Sequence, residues 1–206
     1  MRLGLCNLNC SWCDTPYTWD WTGQNGPPQD KKALTRRTAE DITVEVVAMD
    51  PDLVVITGGE PMVQQTALAP LVANLFDLSL PIEVETNGTI IPKHPEFDWV
   101  AFNVSPKLSS SGCDPTIALN PEALAWYAEE GHTFKFVIAN ETDLRDAMDL
   151  VAAVEIPPEN VWVMPEGRDS ETILGGLRWL APRILDLGWN LSSRLHVLIW
   201  EDERAR

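Results

Sequence analysis

The stretch DLVVITGGEP, residues 52–61, is an apolar, β-branched run of strand length that stops in a glycine-rich polar turn. A strand buried on both faces reads in this way. Similar runs recur at PIEVE (81–85), WVAFNV (99–104), TFKFVI (133–138), NVWVM (160–164) and LHVLI (195–199). MRLGL reads as the end of a first strand. Helical patterns fall between several of them, at about 39–49, 66–77, 121–130, 141–153 and 169–187. Thr38 followed by Asp41 reads as an N-cap with an acidic third position, and Gly131 as a helix stop. Strand–helix alternation predicts an α/β fold with mostly parallel strands and helices outside, either barrel-like or open and doubly wound.

The polar clusters fall at matching places. TGGEP (57–61), ETNGT (85–89), SPK (105–107) and MPEG (164–167) each follow a predicted strand. The loop after MRLGL holds the cysteines. In a parallel sheet these ends lie on one edge, where such folds build their sites. By contrast, TGQNGPPQDKKALTRR (22–37) reads as a loop whose basic residues form a solvated face.

The chain has 206 residues, the size of one ordinary domain, and a net charge of −16. Such acidity repels phosphate backbones and argues against nucleic acid as a partner. No apolar run is long enough to span a membrane, and the N-terminus does not read as a signal peptide. A cytoplasmic location is expected, with reduced thiols. Most of the nine tryptophans are expected in the core.

CNLNCSWCDTPYTWDW (6–21) places Cys6, Cys10 and Cys13 within eight residues of a chain with four cysteines. Structural zinc needs a fourth ligand, for which Cys113, His94, His132 and His196 are candidates. None of these belongs to a paired half-site. Three close thiolates suit an iron–sulfur cluster better, because each takes one iron and a cubane then keeps one iron open.

The Cys-x₃-Cys-x₂-Cys spacing, with Trp12 before the last cysteine, resembles the radical S-adenosylmethionine (SAM) superfamily signature. The longer CSWCDTPYTWDW resembles the 7-carboxy-7-deazaguanine synthase family, as do VITGGEPMVQQ, VETNGT, NVSPKL, VMPEG and RLHVLIW, in order along the chain. The resemblance implies an incomplete (β/α) barrel and a homodimer. It implies a lyase converting 6-carboxy-5,6,7,8-tetrahydropterin to 7-carboxy-7-deazaguanine and ammonia. The implied cofactors are a 4Fe–4S cluster, SAM and Mg²⁺, and the implied electron donor is a flavodoxin or ferredoxin.

Carried over by position, the resemblance assigns the cluster to Cys6, Cys10 and Cys13, and Mg²⁺ to Thr15. It assigns SAM to Trp12, Asp14, Gly59, Glu60, Glu85, Ser105, Lys107, Met164 and Glu166, and substrate to Arg2, Thr57 and His196. Arg2 suits a pterin carboxylate through bidentate hydrogen bonds.

Two departures accompany the match. Met1 stands five residues before Cys6, so residues 1–206 are expected to form one radical SAM domain without the family's N-terminal Q-G-E-G substrate loop. The terminal WEDERAR (200–206) is more charged than an anionic substrate favours. Competing expectations are a radical SAM activase acting on a glycyl-radical protein, and a truncated remnant that binds SAM or metal without turnover.

Overall fold

The computed structural model describes residues 1–201 and 203, so much of WEDERAR lies outside the described residues. Seven parallel strands form one sheet in the order β1 to β7. They are β1 (Arg2–Leu3), β2 (Val54–Gly58), β3 (Ile82–Thr86), β4 (Ala101–Val104), β5 (Thr133–Ile138), β6 (Val161–Pro165) and β7 (Asn190–Leu191). The helices are α1 (Ala39–Met49), α2 (Gln65–Asp77), α3 (Pro115–Ala118), α4 (Pro121–Glu129), α5 (Glu141–Ala153), α6 (Ser170–Leu187) and α7 (Leu195–Trp200). Strand order follows chain order without reversal, which excludes the doubly wound alternative. β1 and β7 are the two ends of the sheet, so the barrel is incomplete, as the sequence led us to expect.

Alternation within the strands separates two faces. Ile56, Val84, Phe102, Phe134, Phe136, Val161 and Val163 point outward and are essentially inaccessible. They join Leu71, Leu75, Leu124, Tyr127, Leu144 and Leu180 of the helices in one core. Truncating one such phenylalanine costs about 3–5 kcal/mol. The inward positions are less apolar than a packed barrel interior. β5 presents Thr133, Lys135 and Val137, and β3 presents Glu83 and Glu85. The sheet thereby keeps one polar concave face free for a site.

Side-chain caps set the helix starts. Thr38 and Asp41 form a reciprocal capping box on α1. Asn120, Asn140 and Asp169 accept backbone N–H groups at α4, α5 and α6. Each cap stabilises its helix by about 1 kcal/mol. Gly131, at φ +75°, follows α4 in the left-handed conformation expected of a helix stop.

Two expectations are corrected. LHVLI is not a strand but most of α7, with Val197 its buried residue. The strand β7 lies just before it. A five-residue apolar run does not distinguish the two states, and Arg194, bonded to Asp14 and Gly167, turns the chain back over the sheet edge. Most of the tryptophans are not core residues either; only Trp126, Trp179 and Trp189 pack against the core, each partly buried. None is fully buried, and Trp99 is 70% exposed.

Candidate active site

The cysteine loop is held at the C-terminal edge by backbone contacts that need glycine. Leu5 has a left-handed φ of 72° and donates its N–H to the Thr18 carbonyl at 2.7 Å. Its own carbonyl accepts from Glu60 N at 2.8 Å, directly above Gly59. A Cβ on Gly59 would stand 1.9 Å from that carbonyl oxygen. A Cβ on Gly58 would stand 2.2 Å from the Leu3 oxygen. The glycine pair therefore lets the cysteine loop lie flat on the end of β2.

Other elements brace the same loop. Asn7 donates to Thr89 Oγ1 at 2.8 Å and accepts from Asn87 Nδ2 at 2.9 Å. Ser11 N donates to the Ser111 carbonyl at 2.8 Å, and Trp12 Nε1 to Ser110 Oγ at 3.3 Å. Arg168 donates to the Cys13 carbonyl at 3.2 Å. Arg194 pairs with Asp14 at 2.5 Å and donates to the Gly167 carbonyl at 3.0 Å. Asp20 is buried and accepts the N–H groups of Gly23, Gln24 and Asn25, which folds the loop's exit.

A cavity of about 500 Å³ opens beside this loop. Cys6, Cys10 and Cys13 line it, with Trp12, Asp14 and Thr15 from the same loop. Thr57, Gly59 and Glu85 come from the ends of β2 and β3, and Arg2 from β1. Ser105 and Lys107 follow β4, Met164 lies in β6 and Glu166 just after it, and His196 enters from α7. Thr57 Oγ1 donates to Glu85 Oε2 at 2.7 Å. Lys107 Nζ donates to the Ser105 carbonyl and hydroxyl at 2.8 and 2.9 Å and stands 5.8 Å over the Trp12 ring. Thr15 Oγ1 lies 3.7 Å from Cys13 Sγ.

Of the residues that the resemblance assigns to cluster, Mg²⁺, SAM or substrate, Glu60 alone does not line the cavity. Its carboxylate is fully buried and accepts from Met62 N, Thr86 Oγ1 and Asn87 N at 2.9, 2.7 and 2.6 Å. Burial pushes its pKa up, against those hydrogen bonds. Here it ties the turn after β2 to the end of β3.

Burial also raises the Cys6 thiol and pushes the Cys10 thiol up to about 12. Both are protonated near neutrality without metal, so metal binding must displace their protons. Among the described residues, no three His, Cys, Asp or Glu side chains gather at a single-ion position. Thiols spread around a cavity suit a cluster in which each holds its own iron; tetrahedral zinc wants them on one point. Of the candidate fourth zinc ligands, His94 bonds Thr66 and His132 packs among Phe102, Trp126 and Tyr127. Only Cys113, 3.6 Å from Cys10, adjoins the cysteine group through a direct contact. The three loop thiols and the adjoining cavity thus fit a cluster with an organic ligand beside it.

Sequence reasoning passed over several residues at this site. Trp19 Nε1 donates to Cys13 Sγ at 3.3 Å, and Lys135, Asn103, Asn87 and Arg194 line the cavity. The inward alternation of β4 and β5 was the available signal for Asn103 and Lys135.

An open parallel (β/α) barrel with a three-cysteine loop at its C-terminal edge defines an iron–sulfur protein of the radical SAM type. The model of the 4Fe-4S single cluster domain matches residues 1–91. The 7-carboxy-7-deazaguanine synthase of Hyperthermus butylicus is 33% identical over 204 residues, covering 97% of this chain and 83% of that protein. That of Pyrobaculum aerophilum is 32% identical over 214 residues, covering 100% and 87%. The chain belongs to the 7-carboxy-7-deazaguanine synthase family. In fold it is similar to QueE from Escherichia coli, with a TM-score of 0.67 at 24% identity over 94% of this chain and 83% of that one. It is also similar to Streptococcus suis SuiB bound to S-adenosylmethionine, with a TM-score of 0.60 at 16% identity over 94% and 49%.

Proposed function

We propose that this chain carries out the reaction for which its family is named. It is a radical SAM lyase that converts 6-carboxy-5,6,7,8-tetrahydropterin to 7-carboxy-7-deazaguanine and releases ammonia. The observation that carries this reading is convergence: motifs spread from Arg2 to His196 line one cavity with three thiols beside it.

When bound, the reduced 4Fe–4S cluster and SAM together supply the carbon radical that takes a hydrogen from the substrate. The chain's own residues hold and orient. Cys6, Cys10 and Cys13 hold the cluster. Trp12, Asp14, Gly59, Glu85, Ser105, Lys107, Met164 and Glu166 surround SAM, with Lys107 supplying a cation and Gly59 a close backbone approach. Glu60 supports that turn from behind through Asn87 and Met62. Arg2, Thr57 and His196 face the pterin from β1, β2 and α7. Thr15 would offer one hydroxyl to Mg²⁺, a hard cation that takes oxygen ligands and would orient the substrate. The Arg194–Asp14 pair closes α7 toward the cysteine loop and limits water entry.

In this reading the protein is a cytoplasmic homodimer served by a flavodoxin or ferredoxin. The four free cysteines support a reducing compartment. The exposed, stacked pair Phe76 and Trp99 supports an apolar contact with a second copy. No described helix is long and apolar enough to cross a membrane.

The test is anaerobic reconstitution with iron and sulfide, then dithionite, SAM, Mg²⁺ and the carboxytetrahydropterin. Mass-spectrometric detection of 7-carboxy-7-deazaguanine supports the reading. SAM cleavage without that product overturns the substrate assignment and leaves the radical class standing.

A further inference from the structure

Lys135 sits at the middle of β5 on its inward face, between Thr133 and Val137. It is half-buried and lines the active-site cavity. In a chain with 31 acidic and 15 basic residues, a half-buried lysine would be expected beside a carboxylate. None of the ion pairs among the described residues includes it.

Glu166, just after β6, lines the same cavity but forms no ion pair with Lys135, and the other charged neighbours are engaged elsewhere. On β4, Asn103 donates its amide to Glu83 at 3.0 Å, which engages that carboxylate. Glu85 accepts from Thr57, on the far side of β3 from β5. Asp14 is held by Arg194, and Lys107 spends its donors on Ser105. The cavity is thus lined by an ammonium without a hydrogen-bond or ion-pair partner among the described residues, on a strand three away from β2, whose Thr57 is Arg2's register partner. An ammonium so placed is satisfied by an anionic oxygen that arrives with a ligand.

We infer that Lys135 is a ligand-binding residue that grips a carboxylate entering the cavity. This rests on the proposed function, in which both ligands are carboxylates: SAM through its methionyl group and the pterin through its 6-carboxyl. The shared chemistry is the carboxylate, and the experiment separates its sources.

Dissociation constants are measured by calorimetry on the cluster-loaded, unreduced protein, for wild type, Lys135→Met and Lys135→Arg. One ligand pair is SAM and decarboxylated SAM. The other is 7-carboxy-7-deazaguanine and its 7-cyano analogue. For Lys135→Met we expect the acid of one pair to bind about tenfold more weakly, with its carboxylate-free mate not weakened. Lys135→Arg should recover most of that loss. The pair affected names the source.

Equal binding of both acids to wild type and Lys135→Met overturns the inference. So does equal loss of acid and carboxylate-free mate, which marks a packing role. Iron content and circular dichroism of each variant, with Lys135→Gln as a second neutral replacement, separate misfolding from lost contact. Failure of wild type to bind 7-carboxy-7-deazaguanine overturns the substrate reading instead, and the SAM pair alone then decides Lys135.

Discussion

Cys113 Sγ lies 3.6 Å from Cys10 Sγ, although 103 residues separate them in the chain. Cys113 follows Gly112, whose left-handed φ of 70° turns the 109–113 segment toward the cysteine loop. The two thiols compete for different fates. In the cluster-free chain they are neighbours that an oxidant can join; in the loaded chain Cys10 is a cluster ligand.

The first prediction follows from that neighbourhood. With oxidised glutathione, the cluster-free protein should form a Cys10–Cys113 disulfide as the glutathione S–S bond breaks, its two electrons and two protons leaving on two molecules of glutathione thiol. Peptide mass mapping should find the pair joined in wild type. Cys113→Ser should abolish it and still take up a full cluster, whereas Cys10→Ser should lose the cluster. A Cys113→Ser protein without iron would instead make Cys113 a ligand.

Gly59→Ala should sever the cysteine loop from its support. The added carbon would stand 1.9 Å from the Leu5 carbonyl oxygen, a backbone atom that cannot swing aside. Overpacking of this kind costs about 1–3 kcal/mol, and here it falls on the loop carrying the thiols. Iron bound after reconstitution should drop well below wild type while far-ultraviolet circular dichroism stays the same. Gly175→Ala, where no atom lies within 4 Å and the backbone, as at Gly59, is not left-handed, serves as control for added volume without a clash. Equal iron in all three proteins would show that the loop does not need this contact.

Arg194→Ala should loosen the closure over the cavity. The guanidinium joins α7 to Asp14 of the cysteine loop and to Gly167 after β6. Asp14 is about half exposed, so the pair is worth at most about 1 kcal/mol of stability. The KM for SAM should rise about fivefold with little change in melting temperature. A large fall in melting temperature with unchanged KM would mark Arg194 as structural only.

His132 sets an acid limit on the fold. Burial against Phe102, Trp126 and Tyr127 lowers its pKa from the ordinary 6.5. A depressed folded-state value means that the neutral ring is favoured in the native state. This contribution is complete above pH 6.5 and is lost as pH falls through the folded value. The melting temperature of the cluster-free protein should therefore fall from pH 7 to pH 5. His132→Phe should flatten part of that slope; parallel slopes would refute the assignment.

The positions of most strands and of the helices between them were legible because outward strand residues are largely apolar, whereas the strand order came only from the fold. TFKFVI coincides with β5, and α1 and α5 have the bounds that their caps announce. LHVLI was misread because five apolar residues carry no period, and its state depends on Arg194 reaching Asp14 across the fold. The cysteine loop and the strand-end clusters were legible as chemistry. Lys135 was not, because a single lysine inside an apolar strand shows its meaning only when its neighbours are seen to be engaged elsewhere. Glu60 was read from its motif as a ligand contact, yet its three hydrogen bonds are internal.

The braces of the cysteine loop also impose an order of events. Its contacts reach Thr89, Ser110, Cys13's partner Arg168 and Asp14's partner Arg194, over separations of 82, 99, 155 and 180 residues. Closing such long loops is entropically costly until the intervening strands have paired. The three thiols therefore reach their working positions only after nearly the whole chain has emerged and folded. Cluster insertion is therefore expected to follow the pairing of those strands, and not to precede it.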